Sequence, residues 1–373
     1  MESISIGWRS AILLIGAIQG LITIIGLWRV PVNRAMNRFV ATLILAFILW
    51  MTPQIIGFAG FYQAFPWLTF MPSNWSLGYG ALIYLYCYCL VHGSPPSWWR
   101  WLFVPMLIQI AYYSVLFTLP VSTRWDWDDA VHSPYIDPVQ VLLALAFAVV
   151  AIGISWRRVL RYRSWMRQNV SNGETHDPTW VRHYFIALVF TLAWVFTEFL
   201  YDRFVDPVSY VEGFYFYVWI SIATYWLGYE ALRHAALPNP VMPVTLAEAE
   251  PEPVDDTARL EALAAKLQAL VEGERLYRDP DLSLKRLASR VGSNTSTTSA
   301  AINKGLGQNF SDFINGYRVN EVRELIAEQG PKTLLDIGLD AGFSSKTSFN
   351  RVFKQLTGQT PSAFKTALKG AKS

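Results

Sequence analysis

Cysteine is almost absent: Cys87 and Cys89 are the only two in 373 residues. That excludes a disulfide-stapled scaffold, and both lie in one apolar run, where an inert buried thiol is the default reading. Lysine is missing from the first 265 residues, with all 9 falling between Lys266 and Lys372. A retinal photoreceptor, which needs a lysine within a span, is excluded. Charged residues make up 16% of the chain, against roughly 25% in an ordinary soluble domain. No HExxH, Gly-x-Ser-x-Gly, Walker loop or Cys-x-x-Cys pair occurs, so nothing points to an enzyme, a metal or a cofactor.

What is present divides the chain in two. All 16 tryptophans lie between Trp8 and Trp226. Residues 1–254 carry 14 arginines against 15 acids, whereas residues 255–373 carry 17 Lys and Arg against 13 acids. The two parts are built for different solvents.

The first solvent is lipid. A helix needs about 20 apolar residues to span a bilayer, and the first part holds seven such runs. They are Ser10–Trp28, Phe39–Phe61, Trp75–Val91, Trp101–Val121, Pro138–Trp156, Tyr184–Tyr201 and Gly213–Tyr229. Only Glu198 interrupts them with a charge. Trp and Tyr sit at their ends, as in an interfacial aromatic belt. The first run is long for a signal peptide and lacks a small-x-small cleavage site, so it is read as a span. With the N-terminus outside, the inner loops hold eleven arginines (among them Arg157, Arg158, Arg161, Arg163 and Arg167), and the outer segments hold only Arg9, Arg124 and Arg203. That is the positive-inside pattern. An odd number of spans then leaves everything after Arg233 in the cytoplasm. Pro53 and Pro105 are expected to kink two spans. The Trp125–Asp129 segment reads as an interfacial outer loop, with cation or ligand binding as the alternative. Glu198, Gln54 and Gln109 are the weak candidates for a ligand site inside the spans.

Residues 235–257 form a linker. Pro238, Pro240, Pro243, Pro251 and Pro253 stop any helix, and Glu248, Glu250, Glu252, Asp255 and Asp256 add an acidic run. Beyond it, Leu260, Leu263, Leu267 and Leu270 mark one helical face. Both a dimer-forming helix and the first helix of the next domain fit; the second is preferred. A short helix over Leu282–Val291 follows, closed by Gly292, and Asn294 is placed to cap a second helix reaching about Lys304. An amphipathic helix runs from about Phe310 to Glu328. The pattern then repeats: a helix through Leu334 and Ile337, a turn at Ala341-Gly342-Phe343, and a helix capped by Ser345. The two turn glycines lie 50 residues apart, which is an internal duplication of a helix-turn-helix.

Residues 281–367 resemble the double helix-turn-helix DNA-binding domain of AraC/XylS-type transcriptional regulators, and the whole chain resembles membrane-anchored members of that family. The second half carries most of the likeness, through Ile337, Ala341-Gly342-Phe343, Ser345, Ser348-Phe349, Arg351, Phe353-Lys354, Gly358, Thr360-Pro361 and Phe364-Lys365. The first half adds Leu284, Leu287-Ala288, Gly307, Phe310, Phe313-Ile314-Asn315 and Arg318. There are departures. Gly338 replaces an alanine and is expected to loosen its helix by up to about 1 kcal/mol. Phe364-Lys365 replaces Tyr-Arg, and Thr298 and Ala301 stand where larger apolar residues are usual. The apolar runs, the arginine distribution and the likeness together give an all-α chain as the expectation: a seven-transmembrane-helix bundle over 1–234, the linker, and a cytoplasmic AraC-type domain over 258–373, at a bacterial inner membrane.

By the same resemblance, base contacts fall on Ser296, Ser299 and Ala300 in the first unit and on Lys346, Thr347, Asn350 and Arg351 in the second. Arg and Lys suit guanine, Asn suits adenine, and Ala suits a thymine methyl. Lys304 and Lys354 suit phosphates. The implied partners are double-stranded DNA, the lipid bilayer and RNA polymerase. A small-molecule or periplasmic signal and a homodimer stay open. A sensor, a merely anchored regulator and a transporter fused to a DNA-binding domain all fit the membrane part; the sensor is preferred.

Overall fold

The structure, a computed structural model, describes residues 4–171, 178–206, 209–237, 239–243, 257–328 and 331–370. The acidic run and Pro238, Pro251 and Pro253 of the expected linker lie outside the described residues. Among those described, the chain is helical without a strand, and Val170 and Ser283 form an isolated antiparallel bridge. Two compact units arise: Met1–Val159 with Pro178–Val241, and Leu160–Asp177 with Met242–Ser373. Sequence reading assigns 160–177 to the membrane part; the structure groups it with the second unit.

The first unit contains α1 (Trp8–Arg29), α2 (Arg34–Phe58), α3 (Tyr79–His92), α4 (Val104–Thr118), α5 (Val121–Trp127), most of α6 (Asp137–Asn169), α7 (Thr179–Phe204) and α8 (Phe214–Ala235). Small residues let α1, α2 and α8 approach closely. A Cβ added at Gly16 would lie 2.6 Å from Ser221 Oγ, and one at Gly20 or Gly228 would lie 2.8 Å from Ile48 or Thr23. This is how apolar helices pack where no hydrophobic effect drives them together. At Gly80 a Cβ would come within 2.7 Å of the Phe147 carbonyl, so α3 and α6 meet backbone to backbone.

All seven expected runs are helical, but not all are long and apolar enough to cross a membrane. Five stretches among the described residues qualify: Trp8–Arg29, Arg34–Phe58, Trp99–Thr118, Val121–Asn169 and Trp180–Phe204. Ser76–His92 is shorter, and α8 turns Phe214, Ile220 and Leu227 inward while exposing Tyr215, Tyr225 and Tyr229. Pro53 does lie inside α2, and the Tyr210 hydroxyl donates to the nearby carbonyls of Pro53 and Gln54. Pro105 instead occupies the first turn of α4, where its missing N–H removes no helical bond; it kinks nothing. The Trp125–Asp129 segment is not a loop, since α5 passes into a wide π-type turn over Asp128–Ile136. Arg124 breaks the charge pattern for a packing reason. It is buried and donates to the carbonyls of Leu119, Trp67, Thr69 and Phe117 at 2.7–2.8 Å.

The second unit adds α9 (Thr257–Gly273), α10 (Leu284–Val291), α11 (Thr295–Ala300), α12 (Phe310–Ala327), α13 (Leu334–Asp340), α14 (Lys346–Thr357) and α15 (Pro361–Gly370). Helix α9 buries Leu260, Ala264, Leu267 and Val271 in one core with Leu287, Ile302 and Phe310. It is the first helix of this domain. A second core gathers Val322, Ile337, Phe343, Phe349 and Phe353. Helix α12 serves both: Phe313 and Ile314 enter the first core, and Val319, Val322 and Ile326 enter the second. Its 18 residues make a rod about 27 Å long.

Gly338 has a different meaning from the one its helix propensity suggests. The Phe349 ring packs on it, and an added Cβ would lie 2.8 Å from Phe349 Cγ. Gly338→Ala therefore gains up to about 1 kcal/mol of helix propensity but overpacks the core, at about 1–3 kcal/mol. The expected net is a loss of about 1 kcal/mol, read as an earlier thermal unfolding of the second unit. A stabilised variant would show that the ring yields freely. Thr298 and Ala301 are fully buried; the Thr298 hydroxyl donates to the Asn294 carbonyl, so no polar group is stranded there.

Candidate nucleic-acid interface

Each helix-turn-helix is set by local capping. In the first, Gly292 closes α10 at φ +74°, and the Asn294 side chain accepts from Thr297 N at 2.7 Å to start α11. Beyond Ala300 the helix widens into a π-type turn over Ala301–Gly305. In the second, Thr333 and Asp336 form a capping box on α13. Ser345 accepts from Ser348 N and starts α14.

Helix α14 is divided cleanly. Ser348, Phe349, Val352 and Phe353 are buried. Lys346, Thr347, Asn350, Arg351 and Lys354 are all exposed and occupy the opposite face. Five expected contact residues thus share one surface carrying three cations and an amide. The first unit is less open. Ser296 and Lys304 are exposed, but Ser299 and Ala300 are half-buried. Ser299 Oγ accepts from Asn303 Nδ2 at 3.2 Å, and Ala300 packs on the core. Asn303, exposed at helical spacing i+7 from Ser296, belongs to the same stripe. That spacing was present in the sequence, and Asn303 is the member it identifies beyond the expected set.

The short turn Leu276–Arg278, with Asp279, contacts both α12 and the second helix-turn-helix. Arg318, in the middle of α12, is fully buried. Its Nε donates to the Tyr277 carbonyl at 2.7 Å and its Nη2 to the Asp279 carbonyl at 2.9 Å. Burial lowers its pKa to about 10 against the opposing pull of Asp279, which leaves it charged at neutral pH. Arg278 pairs with Glu321 one turn further along α12, and this carboxylate raises the Arg278 pKa. Gly342, at φ +97°, presses on the same turn: a Cβ there would lie 2.4 Å from the Tyr277 carbonyl. The turn therefore meets α12 through Arg318 and Glu321, and the second helix-turn-helix through Gly342.

The ligand candidates do not converge. Gln109 is buried in a network, accepting from Leu77 N and donating to Ser76 and Gln140, where Tyr113 also donates. Gln54 and Glu198 are half-buried on α2 and α7. A cavity of about 160 Å³ lies elsewhere, between α2, α3, α6 and α7. Its walls include Phe47, Trp50, Tyr79, Ala148 and Leu188, and its polar lining is Asn74, Ser76, Asp137 and Thr191. Gln109 touches it only indirectly, by holding Ser76. Among the described residues no group of three His, Cys, Asp or Glu is placed to hold a metal.

Comparison with known proteins falls on the second unit alone. Residues 287–367 match the family described as a helix-turn-helix domain. Uncharacterized HTH-type transcriptional regulators of Staphylococcus aureus strains MSSA476 and N315 are each 35% identical over 100 residues. That alignment covers 27% of this chain and 13% of each relative, so the chain spans about an eighth of the length of the curated relatives it matches. No solved structure matches the chain.

Proposed function

We propose that this chain, whose C-terminal unit is an AraC-type helix-turn-helix domain, is a membrane-bound transcriptional regulator that reads specific DNA sequences and responds to a signal through its membrane helices. The carrying observation is the exposed face of α14, where Lys346, Thr347, Asn350, Arg351 and Lys354 stand together at the start of a capped helix. A recognition helix reads base edges from such a face in the major groove. Ser296, Ser299, Ala300, Asn303 and Lys304 supply the corresponding stripe in the first unit.

The membrane reading is supported by apolar side chains that no soluble protein would leave in water. On α1, Ile15, Ile18, Ile22 and Ile25 are 48–68% exposed, and Val149, Val150, Ile186, Val189 and Phe190 continue this on α6 and α7. So many exposed apolar side chains along these helices favour a nonaqueous partner. Seven crossings, the N-terminus outside and the DNA reader in the cytoplasm are the arrangement favoured by the arginine distribution. The α2–α3–α6–α7 cavity supports sensing over mere anchoring. Its mixture of aromatic wall and few polar groups suits a small ligand.

The test compares two substitutions in the full-length protein in nanodiscs. Arg351→Ala is expected to cost about 1–3 kcal/mol on the preferred duplex and to relax preference at one base. Lys354→Ala is expected to weaken all duplexes alike and to flatten the salt dependence by about one counterion. If Arg351→Ala weakened every duplex equally, the base-reading assignment would be wrong.

A further inference from the structure

The expected route from membrane to DNA is the Pro-rich linker after α8. A second route is visible inside the DNA-reading unit. Helix α6 ends at Asn169, and the two residues that follow it lie against Leu282 and Ser283 at the start of α10 and against Arg318, which holds the Leu276–Arg278 turn. Val170 bridges Ser283, the cap of α10. Ser171 N donates to the Leu282 carbonyl at 3.3 Å. Ser171 is fully buried, and its hydroxyl accepts from Arg318 Nη2 at 3.1 Å. Its carbonyl accepts from Ser311 Oγ at 3.4 Å.

Arg318 makes sense of this contact. The guanidinium is fully buried, and the groups that accept from it include two backbone carbonyls of the turn, Asn315 Oδ1 and Ser171. A buried charge is expensive unless every donor is satisfied, so each acceptor counts. Ser171 comes from a sequence position 147 residues away, on the chain that leads directly out of α6. None of the exposed residues on the reading faces is used by the contact.

We propose that Val170 and Ser171 form a latch. Resting on the proposed function, they complete the Arg318 site and hold the two helix-turn-helix units in their DNA-competent relation, so that displacement of the end of α6 reaches the DNA reader through Arg318. Ser171 is a positioning residue here and touches no DNA.

The experiment uses the full-length chain in nanodiscs with two variants. Val170→Cys with Ser283→Cys places thiols on a bridged pair, whose Cα atoms lie within disulfide reach; the native Cys87 and Cys89 are buried. This pair is expected to cross-link under mild oxidant, and the cross-linked chain is expected to keep wild-type affinity for its DNA. Ser171→Val removes the hydroxyl acceptor and is expected to weaken DNA binding about tenfold, and the same substitution made in the cross-linked chain is expected to lose less. Failure of the pair to cross-link, or wild-type affinity in Ser171→Val, overturns the latch. Failure of the wild-type chain to bind any duplex specifically overturns the functional reading instead.

Discussion

Gly342→Ala is expected to destabilise the second unit by about 4 kcal/mol or more, a large share of the roughly 5–15 kcal/mol that holds an ordinary domain folded. Two costs add. At φ +97° an L-residue is strained by roughly 1–2 kcal/mol. The larger cost is steric: the new Cβ would sit 2.4 Å from the Tyr277 carbonyl oxygen and 2.8 Å from Arg278 backbone atoms. Backbone cannot swing aside as a side chain can, and this stretch is tied by Arg318 and Glu321. Gly292→Ala is the control. Its φ is +74°, yet nothing lies within 4 Å of its Cβ position, so only the strain of about 1–2 kcal/mol applies. Pulse proteolysis in urea, following the C-terminal fragment of the full-length protein, separates the two. Equal, modest losses would show that the approach to Tyr277 carries no load.

Arg318→Met is expected to cost about 3–5 kcal/mol, because it strands several acceptors around a buried site at once. The carbonyls of Tyr277 and Asp279 would lose their buried donor, and each stranded acceptor costs about 1–3 kcal/mol. Methionine fills the space but donates nothing. Arg318→Lys is expected to recover little, because one ammonium cannot span acceptors arranged around a planar fork. On the proposed latch, DNA affinity should fall together with stability in both variants. Rescue by lysine would mean that charge alone, without the fork geometry, is what the site requires.

The legible and the illegible parts of this molecule differ by the range of the interactions involved. Helix caps are local: Asn294 and Ser345 sit next to the helices they start, and both accept the backbone N–H bonds that their positions imply. The buried stripe of α14 follows from spacing alone. Helical content along the apolar runs was equally plain, but crossing count was not, because Ser76–His92 is short for a span and α8 mixes tyrosines among its apolar residues. Long-range contacts left no trace in any window. Gly342 reads as a turn residue in sequence, and only the fold brings Tyr277 against it. Arg124 counts as an outer charge until it is seen capping four carbonyls. Ser171 is an unremarkable residue after a basic helix, 147 positions from its partner. The ligand candidates failed to converge for the same reason: polarity inside an apolar run marks Gln109 without saying that it binds Ser76 and Gln140.

The most direct measurement is to pellet native membranes from cross-linked cells, recover the full-length chain from that fraction and sequence the DNA attached to it. The account predicts discrete sites sharing two short elements about one helical turn apart, as two units in successive major grooves require, with the element read by α14 lost in Arg351→Ala. Recovery of the chain from the soluble fraction, or membrane recovery with no enriched DNA sequence, would contradict it.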